Sequence, residues 1–423
     1  MKIVKITNVQ KFAKQIIPKQ PSKNKFIVES ILKNVKKDGD PAIKKYEKKF
    51  SGTNISSLRV STLEIKTAYS KISKIELDAL RLAKSRLEKT ESVIKSLLKN
   101  TVTNQDGIKI SKKFIPISSV GCYVPGGLAR YPSSVIMSVI PAKVAGVKRI
   151  VVVSPPNSEG KIDPLTIVAA KMCGADEIYK IGGVQSIAAL SYGTKTIDKV
   201  DKIVGPGGAF VTTAKFLVSD HTGIDMLAGP TELGIIADDS VNPKFVALDL
   251  ISQAEHSNDT FCYLITTSAK LAKSVNALVS ELIPKIQRSN FVKSSLTKNG
   301  FIAICKTKND VIKLTNTLAP EHLQIMTKNP SSFSSKITTP GLILIGSNVP
   351  SSASDYILGS NHILPTNGFG KTRGSLSVLD FVKVSTEVNC SKQALTKISK
   401  YLDVLTQDEG LPNHYGAVRG RLE

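Results

Sequence analysis

From about residue 110, short runs rich in valine and isoleucine alternate with segments whose apolar residues recur every three or four positions. RIVVVSPP and EIYKIGG are typical of strands, and PLTIVAAKMCGA, which lies between them, is typical of a helix. The alternation continues further along the chain in VQSIAALSYG, KIVGPGG, AFVTTAKFLVSD, ELGIIADD, TFCYLITTS and FIAIC. Repeated strand–helix units give parallel strands with helices on both faces of the sheet. The sequence therefore predicts an α/β protein of the doubly wound class.

The length of 423 residues is sufficient for two lobes of this kind with further segments at each end. Residues 1–112 repeat apolar residues at helical spacing and are predicted to be mostly helical. Residues 113–233 and 234–378 are predicted to form the first and second lobes. Residues 379–423 are predicted to be a helical tail.

The chain carries 58 Lys and Arg against 34 Asp and Glu, a formal charge of +24. Such an excess is one mark of a nucleic-acid-binding protein, and this reading stays open as an alternative. The basic residues are crowded into the first hundred positions and alternate with apolar residues, which is also typical of a solvated helical surface. No RNP-like motif, zinc-finger spacing or Arg-Gly tract is present. We therefore predict that nucleic acid is not the partner.

The five cysteines lie far apart and form no C-x-x-C pair, so neither a disulfide framework nor a structural zinc cluster is expected. Most are predicted to be small buried side chains in a reducing compartment. The N-terminus lacks the apolar core of a signal peptide, and no apolar run reaches about 18 residues. These features predict a soluble cytoplasmic protein with no membrane partner.

GPGGAF, residues 205–210, begins the G-x-G-x-x-G pattern of dinucleotide-binding turns, but Phe210 stands where the last glycine belongs. A glycine-rich turn between a strand and a helix can still bring main-chain N–H groups near a phosphate. Tight turns that any α/β protein needs are the alternative interpretation, and the pattern alone does not decide between them.

The histidines are few, and several of them have acidic or amide neighbours. In VALDLISQAEHSND, helical spacing places Asp249, Gln253 and His256 on one face of an otherwise apolar helix, which is predicted to begin after Asn242. Gln253 and His256 could hold one ion through an oxygen and a nitrogen. A buried hydrogen-bonded pair is the more usual outcome for such a face.

Other acid–histidine neighbours follow in the second half of the chain. Glu321 and His322 come directly after Pro320, which favours the first turn of a helix. There they could be two bases held over a cleft, or a glutamate that is favourable to the helix dipole beside an incidental histidine. Two further neighbouring pairs are Asp355 with His362 and Glu409 with His414.

These blocks together resemble the histidinol dehydrogenase family, and the resemblance covers nearly the whole chain. The matching blocks are DGDPAIKKYEKKF, VGCYVPGGLARYPSSVIMSVIPAKVAGV, GGVQSIAAL, GIDMLAGPTELGIIADD, DLISQAEHSND, APEHLQI, SDYILGSNHILPT and EGLPNHYGAV. The resemblance implies two Rossmann-like lobes similar to those of aldehyde dehydrogenases but without the usual glycine fingerprint. It also implies a homodimer in which the C-terminal helical tail crosses to the partner subunit.

In this family one Zn²⁺ per subunit is bound by residues that match Gln253, His256, Asp355 and His414, the last of these from the neighbouring subunit. Glu321 and His322 match the catalytic pair. The positions that contact the substrate match Thr231, Gln253, His256, Glu321, His322, Asp355, Glu409 and His414.

The resemblance implies that the protein oxidises L-histidinol through L-histidinal to L-histidine with two NAD⁺, the end of histidine biosynthesis. The family's contacts to NAD match Tyr123, Gln185 and Gly208, although the family usually has Asn where Gly208 stands. A related zinc- and NAD-dependent dehydrogenase of another small polyol or amino alcohol is the nearest alternative. The presence of Glu409, which matches the partner of the substrate's amine, favours histidinol.

Overall fold

The computed structural model describes residues 1–16, 24–126 and 130–423. Its strands are β1 Lys2–Lys5, β2 Thr101–Gln105, β3 Ile108–Pro116, β4 Ser119–Tyr123, β5 Arg149–Ser154, β6 Glu177–Lys180, β7 Lys202–Val204, β8 Gly223–Ile224, β9 Glu232–Ala237, β10 Phe261–Thr266, β11 Phe301–Ile304, β12 His322–Met326, β13 Leu342–Ile345 and β14 Val382–Cys390.

The α-helices are α1 Val9–Ile16, α2 Lys25–Asp38, α3 Asp40–Ser51, α4 Thr62–Lys71, α5 Lys74–Leu97, α6 Pro132–Ala145, α7 Pro164–Cys173, α8 Gly183–Tyr192, α9 Ala209–Leu217, α10 Pro243–Ala254, α11 Ala269–Leu282, α12 Ser289–Lys298, α13 Lys308–Leu318, α14 Ser331–Ser334, α15 Ser351–Ser354, α16 Lys392–Asp408 and α17 Pro412–Arg419. Short 3₁₀ turns lie at Ile283–Lys285, Phe369–Lys371 and Val378–Phe381.

The first sheet is parallel throughout, with the strand order β6-β5-β4-β7-β8. The chain moves outward from β4 to β6 and then returns to place β7 on the other side of β4. The connections after β4 and β7 therefore leave in opposite directions. In doubly wound proteins this switch point opens a crevice at the carboxyl ends of the strands. The predicted fold class is confirmed for this lobe.

Helices cover both faces of the first sheet because its strands alternate side chains between two cores. Val120 and Cys122 of β4 pack with α5, α6 and α7, whereas Tyr123 packs with α2, α3, α8 and α9 on the opposite face. Much of the helical N-terminal region is therefore part of this lobe.

The second sheet is also parallel and has the order β1-β11-β10-β9-β12-β13. Its switch point lies between β9 and β12, the two strands next to each other at its centre. Every residue of β9 and β10 is buried, as expected for parallel strands covered on both faces. Helices α10–α12 cover one face, and α1 and α13 cover the other.

Strand β1 was not predicted, and its pairing with β11 joins the beginning of the chain to a segment about 300 residues away.

The prediction that the tail after Leu379 is helical is wrong for its first part. β14 pairs antiparallel with β3 along nine residues, and β2 pairs with the other edge of β3. Alternating β-branched residues in VKVSTEV favour an extended chain, and pairing with a distant strand decides the structure. The helices α16 and α17 follow β14, so the remainder of the tail is helical as predicted.

Among the described residues, none of the helices combines the length and the apolar character needed to cross a bilayer.

Candidate functional site

A cavity of about 650 Å³ lies between opposite ends of the two parallel sheets. The first sheet contributes residues that follow its strands, namely Pro125 after β4 and the turn 205–208 after β7. The second sheet contributes residues at the start of its strands: Thr231 before β9, Phe261 at β10 and His322 at β12. The carboxyl edge of one sheet therefore faces the amino edge of the other across the cavity.

Glu321 and His322 both line this cavity, but they do not begin a helix as the preceding proline suggested. His322 is the first residue of β12, which lies between β9 and β13 with all five residues buried. Ala319, with φ of +48°, ends α13 and turns the chain into the strand. Burial between two neighbouring strands overrides the local preference of Pro320 and Glu321 for a helix start.

The Glu321 carboxylate is fixed by neighbours from the start of β9. Its Oε2 accepts a hydrogen bond of 2.6 Å from the Thr231 hydroxyl and one of 2.8 Å from the main-chain N–H of Glu232. The main-chain N–H of Glu321 in turn donates to Glu232 Oε2 at 3.2 Å. Each glutamate side chain therefore accepts a hydrogen bond from the other's main-chain N–H, and these two bonds connect the starts of β9 and β12.

Glu232 is a residue of the site that sequence reasoning did not identify. Its Oε1 accepts a 2.8 Å hydrogen bond from the N–H of Asn367, a cavity residue, and its side chain is buried. Burial and the nearby charge of Glu321 raise the pKa of Glu232 to about 8. Its position next to Thr231 in the AGPTE block was the signal that could have identified it.

His322 is held between the backbone of β9 and two carboxylates. Its Nδ1 lies 3.3 Å from the main-chain oxygen of Glu232 and 3.6 Å from Glu321 Oε2. Its Nε2 lies 3.3 Å from Asp355 Oδ1 but makes no well-aligned hydrogen bond with the described residues. Burial alone would lower the pKa of His322, but the charge of Glu321 and the contact with Asp355 raise it to about 10.

Gln253 reaches the cavity from the last turn of α10. Asn242 caps this helix as predicted, with its side chain accepting from Lys244 N–H at 3.0 Å. The amide of Gln253 donates to the Thr231 hydroxyl at 3.0 Å, and its Oε1 accepts from the Ser351 hydroxyl at 3.4 Å. The amide is therefore fixed by the same threonine that holds Glu321.

His256 lies beyond the end of α10, because the helix ends at Ala254 and does not continue to Asp259 as its apolar spacing suggested. Ser257, in the turn that replaces the last helical residues, donates to Asp259 at 2.5 Å. His256 still lines the cavity beside Gln253, whereas Asp249 is buried and does not line it. The predicted polar face thus separates into cavity residues and a buried acid.

Three of the four predicted metal ligands therefore line one cavity: Gln253, His256 and Asp355. Burial would raise the pKa of Asp355, but the neighbouring His322 ring lowers it, and His362 and His256 add to this effect. In the described part of the chain no three His, Cys, Asp or Glu residues form a metal cluster, so the third donor here would be an amide oxygen. One nitrogen and two oxygen donors fit Zn²⁺ with a position left for a further ligand.

The remaining predicted ligand, His414, and the predicted substrate residue Glu409 lie elsewhere. Glu409 follows α16 and His414 lies on α17, where both side chains are exposed. Neither residue lines the cavity of its own chain. Their exposure leaves them accessible to another molecule.

His362, noted with Asp355 in the sequence, connects the two lobes at the cavity. Its Nδ1 lies 2.7 Å from the main-chain oxygen of Asp355, and its Nε2 lies 3.3 Å from the hydroxyl of Ser134 on α6. Burial lowers the pKa of His362, so the ring is neutral near pH 7. His362 thus fixes the backbone of Asp355 relative to the first lobe.

The predicted dinucleotide residues lie at the carboxyl edge of the first sheet. Tyr123 ends β4, Gln185 lies in the first turn of α8, and Gly208 caps the N-terminus of α9. Gly208 lines the cavity, whereas Tyr123 and Gln185 are buried behind its wall. The Tyr123 hydroxyl accepts a 3.4 Å hydrogen bond from Gly183 N–H, and a β-carbon at Gly207 would lie 3.4 Å from the Tyr123 ring.

Comparison with known proteins gives a consistent result along the chain. The model of the histidinol dehydrogenase family matches residues 18–422. A histidinol dehydrogenase of Oceanobacillus iheyensis is 42% identical over 394 residues, which cover 93% of this chain and 92% of the relative.

Solved structures agree. The crystal structure of histidinol dehydrogenase from Elizabethkingia anophelis matches with a TM-score of 0.94 and 33% identity, covering 100% of this chain and 98% of that one. A salicylaldehyde dehydrogenase from Pseudomonas putida matches with a TM-score of 0.52 at 10% identity, covering 90% of this chain and 88% of that one. At that identity the second match concerns the fold alone, and it agrees with the predicted likeness to aldehyde dehydrogenases.

Proposed function

The chain belongs to the histidinol dehydrogenase family, NAD-dependent oxidoreductases of histidine biosynthesis, and we propose how its cavity carries out their reaction. Histidinol, a primary alcohol, is oxidised to the aldehyde and then, after addition of water, to the carboxylate. Each of the two oxidations transfers one hydride to one NAD⁺. The chain must therefore accept a hydroxyl proton twice and activate one water molecule.

We assign Nε2 of His322 as the proton acceptor, and the whole proposal depends on the surroundings of this nitrogen. Nε2 is a buried ring nitrogen at the cavity that makes no well-aligned hydrogen bond with the described residues. The carbonyl of Glu232, 3.3 Å from Nδ1, can only accept, so it favours a proton on Nδ1. The pKa of about 10 arises while the charges of Glu321 and Asp355 are not offset. A cation bound at Asp355 would offset part of that charge and lower the pKa of His322. In the neutral ring the lone pair then lies on Nε2, where it can accept the hydroxyl proton as hydride leaves the carbon.

Glu321 is assigned to the water that adds to the aldehyde. Its two hydrogen bonds from Thr231 and Glu232 go to Oε2, which leaves Oε1 to accept a proton from water. Hydration is needed because a second hydride can leave only from a carbon that carries a hydroxyl and a hydrogen. His322, the next residue in the chain, then accepts the proton of that hydroxyl.

Gln253, His256 and Asp355 of one chain, with His414 of a second copy, would hold one Zn²⁺ per subunit. Bound there, the ion would orient the imidazole and amine of histidinol and would offset the carboxylate charge next to His322. Thr231 contacts the substrate while it holds both Glu321 and Gln253. Glu409 of the second copy is the partner for the substrate's amine. This arrangement requires a homodimer with shared active sites, and the exposure of Glu409 and His414 supports it.

The dinucleotide would lie at the carboxyl edge of the first sheet, against Tyr123, Gln185 and the turn that ends at Gly208. Two observations support this location. The turn lies at the switch point between β4 and β7. The start of α9 lines the cavity, and the first N–H groups of a helix have no partner within it, so they suit a phosphate.

NADH formation by the purified, zinc-loaded protein tests the reaction, with histidinol, histidinal and other small alcohols compared. Histidinol and histidinal are expected to be used far better than alcohols without an imidazole and an amine. Faster oxidation of a simple polyol would instead indicate the related dehydrogenase.

His414→Ala tests the shared metal site. The variant dimer is expected to contain less zinc than the parent, because one ligand is removed. Lys392, at the start of α16, lies in the same exposed tail, and Lys392→Ala is a matched control that should keep its zinc. Unchanged zinc in the His414 variant would remove this residue from the ligand set.

A further inference from the structure

A buried glutamate in the N-terminal helical region lies next to the residues assigned to the dinucleotide. Glu47 is on α3, which packs on α8, and its side chain is completely buried. Its Oε1 accepts two hydrogen bonds, 2.8 Å from Gly182 N–H and 2.7 Å from the amide of Gln185, and its Oε2 accepts one of 2.9 Å from Ser51. A carboxylate taken out of water in this way is tolerated because it has three donors.

These contacts determine which way the Gln185 carboxamide points. A carboxylate can only accept, so the NH₂ group of Gln185 must face Glu47 and its Oε1 must face away. That oxygen is buried and has no hydrogen-bond partner among the described residues. An unpaired buried acceptor lowers the stability of the folded protein by about 1–3 kcal/mol. A ligand that brings a hydrogen-bond donor to this oxygen would recover that free energy.

The oxygen is buried behind the wall of the cavity, and contacts through Gly183 and Tyr123 connect it to that wall. A β-carbon at Gly183 would be 3.1 Å from Gln185 Oε1, and Gly183 N–H donates to the Tyr123 hydroxyl. The Tyr123 ring in turn lies beside Gly207, which lines the cavity. The Tyr123 hydroxyl accepts from Gly183, so its own hydrogen is available to donate. Together Tyr123 and Gln185 offer one donor and one acceptor, which suits a sugar hydroxyl of the dinucleotide.

We propose that Glu47 is a positioning residue for the dinucleotide, which holds the Gln185 carboxamide and the Gly182 turn so that the Gln185 oxygen accepts from the bound cofactor. This inference rests on the proposed assignment of Gln185 to the dinucleotide. It adds a residue from the N-terminal helices to a site otherwise built from the two sheets.

Glu47→Leu removes the acceptor and keeps the volume of the side chain. We expect the KM for NAD to rise about tenfold, since roughly one hydrogen bond to the cofactor is lost, with a smaller change in kcat. Glu47→Gln should restore most of the affinity, because an amide oxygen can still accept from Gly182 and Gln185. NADH fluorescence titration gives the same comparison at equilibrium, and the chain contains no Trp to interfere with it.

Glu91→Leu is the matched control. Glu91 is also a buried helical glutamate, and it accepts a 2.7 Å hydrogen bond from Val378 N–H. Its helix α5 and Val378 pack on the face of the first sheet opposite to α3 and α8. Loss of Glu91 should lower the melting temperature without changing the KM for NAD. If Glu47→Leu does not fold, Glu47→Asp, which withdraws the acceptor by one methylene, is expected to raise the KM severalfold.

Gln185→Leu separates the two levels of the proposal. In a double-mutant cycle, Glu47→Leu should add little to the KM of Gln185→Leu, because it acts through that side chain. If Gln185→Leu raises the KM and Glu47→Leu does not, the role of Glu47 is overturned while the assignment of Gln185 stands. Independent, additive effects of the two substitutions would lead to the same conclusion. An unchanged KM in Gln185→Leu would overturn the assignment of Gln185 to the cofactor and the inference with it.

Discussion

The two parallel sheets share one topology but present opposite ends to the cavity. Apart from β1, which is added at the edge of the second sheet, three consecutive strands in each sheet run outward and the fourth returns beside the first of them, so each sheet has one switch point. The first sheet uses the carboxyl ends of β4 and β7, where ligands of doubly wound proteins usually bind. The second uses the amino ends of β9 and β12, where Thr231 and His322 lie.

The two edges also differ in what they expose. At the first sheet the cavity wall at the switch point is largely main chain, in the turn 205–208. At the second it consists of acidic, amide and imidazole side chains such as Glu321 and His322. Main chain without side chains allows a phosphate to approach closely, whereas proton transfer needs titratable groups. This difference supports the proposed division of the site, with the cofactor at one edge and proton transfer at the other.

The largest expected effect is at the amino edge of the second sheet. His322→Ala should lower the rates of NADH formation from both histidinol and histidinal by about 10²–10⁴-fold, because the same base serves both oxidations.

Glu321→Gln should lower the histidinal rate by about 10²-fold but the histidinol rate much less, because only the aldehyde needs water. NAD affinity should change little in either variant. Equal losses in the two half-reactions of Glu321→Gln would contradict this division of roles.

A smaller effect on stability is expected at the carboxyl edge of the first sheet. Gly205 has φ of +114°, and a β-carbon there would lie 2.1 Å from the main-chain oxygen of Tyr123. Its N–H donates to Asp225 at 2.8 Å, and its carbonyl accepts from Lys215 at 3.0 Å. Gly205→Ala should therefore lower the free energy of unfolding by at least about 1–3 kcal/mol.

Chemical denaturation measures this change, with Gly208→Ala as the control. Apart from its chain neighbours, no described atom lies within 4 Å of a β-carbon at Gly208, so the control should change the free energy of unfolding by less than about 1 kcal/mol, the cost of alanine at an N-cap. Similar values for the two alanine variants would show that the turn is not constrained as the structure indicates.

The smallest expected effect sharpens the cofactor assignment. Gly208 has φ of −66° and caps α9, so asparagine fits its backbone and is a favourable N-cap. Gly208→Asn should leave stability nearly unchanged and lower the KM for NAD by about 2–10-fold through one added hydrogen bond. Steady-state kinetics with varied NAD measure it. A higher KM for NAD in Gly208→Asn would mean that the dinucleotide lies so close to residue 208 that a side chain there collides with it.

The parts of the fold that follow from local pattern could be predicted from the sequence. The strands β5–β7 and β9–β11 and the helices α7, α8 and α10 are largely apolar runs bounded by turn residues, and their alternation indicates a parallel topology. The strands β1 and β14 escaped prediction because they are partly exposed, and distant strands decide their structure. The start of β12 was assigned to a helix because Pro320 and Glu321 suggest one locally.

The site could be predicted only as far as residues carry a chemical signature. Glu321, His322, Gln253, His256 and Asp355 were chosen from the sequence, and the structure brings all five to one cavity. The roles of Glu232 and Glu47 could not be predicted, because each depends on main-chain groups that only the folded chain brings near. In the sequence Glu232 is marked only by its position next to Thr231, and Glu47 lies among the lysines of KKYEKKF.

The pairing of β1 with β11 affects how the protein can be divided. The four residues of β1 cover an edge of the second sheet whose other strands come from residues 232–345. A fragment that starts at residue 232 would leave the main-chain donors and acceptors of β11 open along that edge. Uncovered edges of this kind recruit strands from other molecules and lead to aggregation. Expression of the second lobe as an isolated module would therefore require the first residues of the chain to be fused back beside it.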